Sequence, residues 1–207
     1  MNEKRLEKFR RVAAQRQSDL TVVLENVIDM HNIGAVLRSC DSVGIREIFV
    51  LHTEAGLKAD CITIGRKTSG GSRRWVDVHY YTDAKACFTH VKQQYRRVLS
   101  TQLSETATSL YKLDLTKPTA FLFGNEHDGL SSEAAAYADG NFIIPQMGMA
   151  ESLNISVACA VTLYETFRQR EVGGFYSRQN TDFEYLWQEY VRRHEEKEIR
   201  DIVWKTA

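Results

Sequence analysis

Short apolar runs alternate with segments of helical period along most of this 207-residue chain, and that alternation limits the folds open to it. The pattern predicts strands near 21–25, at 47–51, 76–80, 97–100, 120–123 and 142–144, and helices over 33–43, 84–95, from near Ser131, and over 152–170. Parallel strands need a crossover of helical length to return to the same end of a sheet. The expectation is therefore an α/β protein, a parallel sheet covered on both faces. Only two prolines, Pro118 and Pro145, interrupt the chain, so glycine marks the breaks: Gly70-Gly71, Gly124, Gly129, Gly148 and Gly173-Gly174.

Two charged segments flank this core. Residues 1–18 carry Lys4, Arg5, Lys8, Arg10, Arg11 and Arg16 against Glu3 and Glu7, with Leu6, Phe9 and Val12 as a thin apolar stripe. That reads as a basic helix or arm, either a solvated surface helix or, through Arg10 and Arg11, an RNA contact. Residues 177–207 form an extension in which Phe183, Leu186, Trp187, Tyr190 and Val191 recur at helical spacing. The 27 basic and 27 acidic residues cancel, so no global field draws the protein to nucleic acid and any RNA footprint has to be local. One such footprint is the run Arg66, Lys67, Arg73 and Arg74, four cations without an acid among them, interleaved with Gly70 and Gly71.

Cys40, Cys61, Cys87 and Cys159 have no CxxC spacing and no histidine at zinc spacing, so free thiols in a reducing, cytoplasmic setting are expected. His127 and Asp128 offer two potential metal ligands without a third, and no metal is expected. No apolar run has the length of a membrane span, and the charged N-terminus is not a secretion signal.

Three polar turns follow apolar runs: 26–32, 124–131 and 145–154. In the last, Ser152, Asn154 and Gly148 lie beside a core they cannot simply join, so they either cap the following helix or line a ligand site. Taken in order, NIGAVLRS, LFGNEHDGLS and IPQMGMAESLNISVA resemble the three motifs of the SpoU branch of the SPOUT superfamily, the RNA ribose 2′-O-methyltransferases, and are most similar to its TrmH-like tRNA enzymes. DLTVVLENV, TSGGSRRWV and TKPTAFLFG add to the likeness, which covers residues 19–176.

The resemblance implies a deep trefoil knot at the C-terminal end of the sheet that forms an S-adenosylmethionine pocket, two such pockets at a homodimer interface, and an RNA substrate. A tRNA, with a D-loop guanosine as the family's target, is expected. A ribosomal RNA enzyme of the same branch is the rival, and commonly carries an extra N-terminal RNA-binding domain where this chain has a short arm. A knotted RNA-binding protein without catalysis is a second rival, opposed by the joint presence of Asn32, Arg38, Glu126, Ser152 and Asn154, which match the catalytic motif positions. Within that set the family's arginine is held to act on the 2′-hydroxyl, and Arg38 is left with two roles, a base assisted by an RNA phosphate or a bidentate clamp on phosphate and alkoxide. Thr101, Gly124, Ile144 and Leu153 match cofactor-binding positions, and Leu122 and Met147 are apolar candidates for sandwiching the adenine. Arg168 and Arg170 match basic positions. Gly34 replaces the usual serine of the first motif, and Asn125, His127 and Asp128 replace the usual residues around the glutamate of the second, which bears on the choice of RNA.

Overall fold

The computed structural model describes residues 1–54, 69–102, 104, 107–178, 180–196 and 203–204. Its strands are β1 (Leu20–Glu25), β2 (Glu47–Leu51), β3 (Asp77–Tyr81), β4 (Val98–Thr101), β5 (Thr108–Ser109), β6 (Thr119–Phe123), β7 (Gly140–Ile143) and β8 (Val203–Trp204). The helices are α1 (Glu3–Gln15), α2 (Met30–Ser42), α3 (Ala84–Gln94), α4 (Ser132–Ala135), α5 (Ile155–Val172) and α6 (Phe183–Glu195). Among the described residues the strands form one sheet in the order β5-β7-β4-β6-β1-β2-β3-β8, and every pairing is parallel.

The central strands LTVVLE, EIFVL and TAFLF are buried at every position, as strands covered on both faces must be. Alternate side chains then divide the core. Leu20, Val22, Leu24, Phe121 and Phe123 pack under α2 and α5 against Ile33, Val36, Leu37, Cys40, Cys159 and Leu163. Val23, Phe49, Ala120 and Leu122 pack on the other face against Ala84, Cys87, Phe88 and Val91 of α3 and Ala134 of α4. Burial pushes the Cys40 thiol well up and the Cys87 thiol up to about 12, which disfavours the thiolate form. From β1 the chain lays β2 and β3 to one side, then crosses to build β4, β6 and β7 on the other. The strand order therefore reverses beside β1, and ligands of open α/β sheets bind outside the carboxyl ends of the strands near such a reversal.

The expected elements are present with shifted ends: α4 has four residues, α2 begins at Met30, and β5 and β8 are short additions at the sheet's edges. The N-terminal segment is a docked helix. Phe9 and Ala13 of α1 pack against Leu186 and Tyr190 of α6, so the two ends of the chain make one layer. Arg16, counted above with the basic arm, is an interior residue that donates to Tyr190 Oη (2.7 Å), Ile45 O (2.8 Å) and Asp41 Oδ1 (2.6 Å).

Arg170 requires a larger correction. Expected at an RNA-contacting position, its side chain is fully buried. It grips Asp19 with two bonds (2.6 and 3.0 Å), donates to Gln17 Oε1 (3.0 Å) and to the carbonyls of Leu115, Thr116 and Lys117, and lies over the Phe175 ring. Every donor of the fork is used on protein, so none is left for a phosphate. The group pins the end of α5 to the start of β1 and to the segment before β6. Arg170→Ala would strand the Asp19 carboxylate and three carbonyls, and should lower the unfolding free energy by about 3–5 kcal/mol. Urea denaturation checks this; a loss below about 1 kcal/mol would show the hub to be dispensable.

Candidate functional site

The site is built where β6 stops. At Gly124 a Cβ would lie 2.3 Å from the carbonyl oxygen of Gly129, so only glycine lets the chain fold back this tightly. Asn125 and Gly129 exchange backbone bonds of 2.9 and 3.0 Å, and Gly129 adopts φ +71°. The Asn125 side chain stiffens the turn, accepting from His127 N (2.7 Å) and donating to Asn26 O (2.8 Å) at the end of β1. Ser131 completes the anchor, its backbone N–H (2.9 Å) and hydroxyl (2.5 Å) both donating to the buried Glu25 carboxylate. The rigid turn holds Glu126, His127 and Asp128 outward.

Glu126 accepts from Asn32 Nδ2 at the start of α2. Asn32 Oδ1 in turn accepts from Asn154 Nδ2 (3.1 Å), and Asn154 Oδ1 accepts from Ser156 N (2.9 Å) as the N-cap of α5. The orientation of both amides follows from the cap. A backbone N–H demands the oxygen of Asn154, which turns its amino group to Asn32, whose own amino group then faces the carboxylate. One hydrogen-bonded chain thus ties together the three polar turns, drawn from helices and loops far apart in sequence.

Beside it lies a cavity of about 420 Å³, within the range of small-molecule sites. Thr101 of β4, Phe123 of β6 and Gly124 just after it, Ile144 after β7, and Leu153, Ile155 and Ala158 before and on α5 supply its walls, and Glu126, Asp128 and Glu151 give the lining three acids. Asp128 bonds His127 Nδ1 at 2.8 Å, and this hydrogen bond raises the pKa of that exposed imidazole. Among the described residues no cluster of three His, Cys, Asp or Glu could hold a metal ion, and no helix is long and apolar enough to cross a membrane.

The sequence-derived candidates therefore fall into groups. Thr101, Gly124, Glu126, Ile144, Ser152 and Leu153 line the cavity, and Asn32 and Asn154 stand in the polar chain beside it. Leu122, a candidate for sandwiching an adenine, is instead core on the opposite face, because its neighbours Phe121 and Phe123 take the α2–α5 side. Met147, the other, is 93% exposed and outside the cavity lining. Arg38 is exposed on α2 with its guanidinium against Gly70. Arg10 and Arg11 are exposed on α1, Arg10 over the Trp187 ring at 4.8 Å. Arg73 and Arg74, expected in a flexible loop, are half-buried in a one-turn 3-10 helix, Ser72–Arg74. Arg168 is exposed and makes a two-bond pair with Glu165 (2.9 and 2.8 Å), which holds that carboxyl below its usual range. Arg66 and Lys67 lie outside the described residues. Sequence reasoning overlooked Glu25, Asn26 and Asn125 as site builders; the sequence signal was a polar pair ending an otherwise apolar strand.

A family model for the SpoU rRNA Methylase family matches residues 19–164. The tRNA (guanosine(18)-2'-O)-methyltransferase of Thermus thermophilus is 43% identical over 180 residues, 87% of this chain and 90% of that protein. Among solved structures, the A. aeolicus TrmH/SpoU tRNA modifying enzyme superimposes with a TM-score of 0.81 at 34% identity, covering 93% of this chain and 97% of that one. The SpoU methyltransferase AviRb from Streptomyces viridochromogenes, in complex with the cofactor AdoMet, gives 0.67 at 27% identity over 76% of this chain and 63% of its own. The chain belongs to the SpoU methylase family.

Asn154 carries two separable duties. Asn154→Ala should cost about 1 kcal/mol of stability through the lost cap, whereas Asn154→Asp keeps the cap, loses the donor to Asn32, and should stay within about 0.5 kcal/mol of wild type. Chemical denaturation of both variants checks this; equal losses would mean that the cap contributes nothing.

Proposed function

We propose that this protein is an S-adenosylmethionine-dependent tRNA 2′-O-ribose methyltransferase, with the guanosine named in its relatives as the first target to test. The observation that carries the reading is the chain Glu126–Asn32–Asn154 at the edge of the cavity, because it brings the motif residues of a methyl-transfer site together around one small-molecule pocket. The pocket suits the cofactor. Apolar walls of Ile144, Leu153 and Ile155 fit an adenine, the bend at Gly124 lets backbone approach it, and Glu126, Asp128 and Glu151 favour a cationic ligand. Bound S-adenosylmethionine supplies the electrophilic methyl group.

The protein's own residues have the remaining work. Asn32, its amide fixed by Glu126 and Asn154, holds the ribose, and Ser152 at the cavity wall adds a second polar contact. Guanidinium groups keep their proton in proteins, so Arg38 serves as a cation that grips the adjoining phosphate and stabilises charge developing on the 2′ oxygen as its proton passes to water or to that RNA phosphate. Thr101, Gly124, Ile144 and Leu153 form the cofactor site. Arg10, Arg11, Arg73, Arg74 and Arg168, with Arg66 and Lys67 from the sequence, form the RNA footprint.

The segment 144–154 is proposed to thread the preceding connection as a deep trefoil knot. This agrees with three loops, after β4, β6 and β7, converging on one cavity. A homodimer is proposed on the apolar outer side of α5, where Val157 is 45% and Tyr164 52% exposed although the inner side is already core. The whole assembly is placed in the cytoplasm, with 19–176 as the methyltransferase domain between two terminal helices.

Nucleoside mass spectrometry of tRNA and ribosomal RNA from cells with and without the gene tests the substrate. Loss of one 2′-O-methylguanosine from tRNA is expected; loss from ribosomal RNA alone would transfer the protein to the rival branch. Arg38→Ala should slow single-turnover methylation at least about a hundredfold with cofactor affinity nearly unchanged, the scale of a lost charge-stabilising group. Arg38→Lys should lose most of that activity, because a lysine lacks the planar fork. A near-normal rate in Arg38→Ala removes the residue from the mechanism. Replacing both Arg73 and Arg74 by alanine should weaken RNA binding and flatten its salt dependence, since fewer counterions are released; an unchanged slope would exclude them from the footprint.

A further inference from the structure

Arg38 occupies a made seat. A Cβ built on Gly70 would lie 3.1 Å from Arg38 Nε and 3.2 Å from Cζ, so the arginine would have to give by a few tenths of an ångström, and Gly70 adopts φ +56°, where glycine is favoured. The guanidinium therefore lies directly on a bare turn of backbone. One helical turn further along α2, Asp41 holds the same turn through Ser72 Oγ (3.2 Å), and Ser72 N donates to Ser69 O (2.9 Å). Residues 38 and 41 share a helix face, so one face of α2 both presents the arginine and fixes its support.

Two buried arginines from the ends of the chain lock this arrangement. Arg16, just past α1, donates to Asp41 Oδ1 (2.6 Å) and to Trp75 O (3.1 Å). Arg193 of α6, 3% exposed, donates to Arg74 O (3.0 Å) and to both oxygens of Asp77 (2.9 and 3.2 Å), and is itself oriented by Glu189 (2.8 Å). The carbonyls that they hold, Arg74 and Trp75, lie four and five residues after Gly70. Each fork bonds a carboxylate and a backbone carbonyl at once, which a lysine's single ammonium at the end of a flexible stem does not reproduce.

We infer that the turn 69–75 is the positioning device for Arg38, and that Arg16 and Arg193 are positioning residues through which the two terminal helices set the reactive geometry. The inference rests on the role of Arg38 given above. It assigns the C-terminal helix a task in the reaction that needs no contact with substrate, and it accounts for the joint docking of both chain ends on one turn.

The test combines Gly70→Ala, Arg193→Lys and Arg38→Ala, each alone and the first two in the Arg38→Ala background, in single-turnover methylation of an unmodified tRNA transcript at saturating S-adenosylmethionine. Gly70→Ala and Arg193→Lys should each slow the reaction at least about tenfold, with cofactor affinity within about twofold. In the Arg38→Ala background each should change the rate by less than about twofold, because residues that act through a group lose their effect once it is removed. Equal losses in both backgrounds, or no loss in either, overturn the proposal. The Nε–H resonance of Arg38 in ¹⁵N-arginine spectra, identified by its loss in Arg38→Ala, gives a readout independent of activity. It should shift in Gly70→Ala and in Arg193→Lys; an unmoved resonance overturns the seat even where Arg38→Ala upholds the catalytic role. A shifted resonance with a normal rate in Arg38→Ala instead defeats the catalytic reading and, with it, the positioning role. Should Arg193→Lys fail to fold, Ser72→Ala, which removes only the hydroxyl bond to Asp41, is expected to shift the same resonance, and its failure to do so counts against the proposal.

Discussion

Glu25 ends the central strand β1 with a carboxylate fully withdrawn from solvent, and such a group is tolerable only if donors surround it. Both donors come from Ser131, at the far side of the turn that follows β6. That single polar contact ties the end of β1 to the 124–131 turn, and Ser131 also caps α4 through Ala134 N (3.1 Å). With Asn125 bound to Asn26 O, the second polar turn is fixed to the strand that leads into the first. The cavity's outer wall is therefore a consequence of satisfying one buried carboxylate.

The same economy governs the third turn. Asn154 must cap α5, and the cap fixes which way its amide points, which fixes Asn32 and so the donor offered to Glu126. The Asn154 side chain caps α5 and also reaches Asn32 beside the cavity, because a capping amide uses only its oxygen and leaves its amino group free to bond elsewhere.

Buried arginines organise the opposite end and the flank of the sheet. Arg170, Arg16 and Arg193 each join a carboxylate to backbone carbonyls from another element. Removing one partner from such a group is costly even where the whole group contributes little net stability. Their value is geometric, since each fork fixes two elements at defined distances. The chain ends, which look like appendages in sequence, are by this means joined to the framework around α2.

The sequence by itself determined the parallel α/β class, the positions of the central strands, and the three polar turns, because side-chain period and buried apolar runs are local properties of the chain. Family likeness supplied the chemistry to expect at Asn32, Arg38, Glu126, Ser152 and Asn154. Tertiary structure alone decided which cations are interior. Arg170 reads like any basic residue at a helix end, and only the approach of Asp19 and the 115–117 carbonyls makes it a buried hub. It also decided that Leu122 faces α3 and α4, since strand pairing fixes which alternate residues take each face. And it decided the seat of Arg38 on Gly70, because a close contact between a helix and a remote turn leaves no periodic trace in either segment.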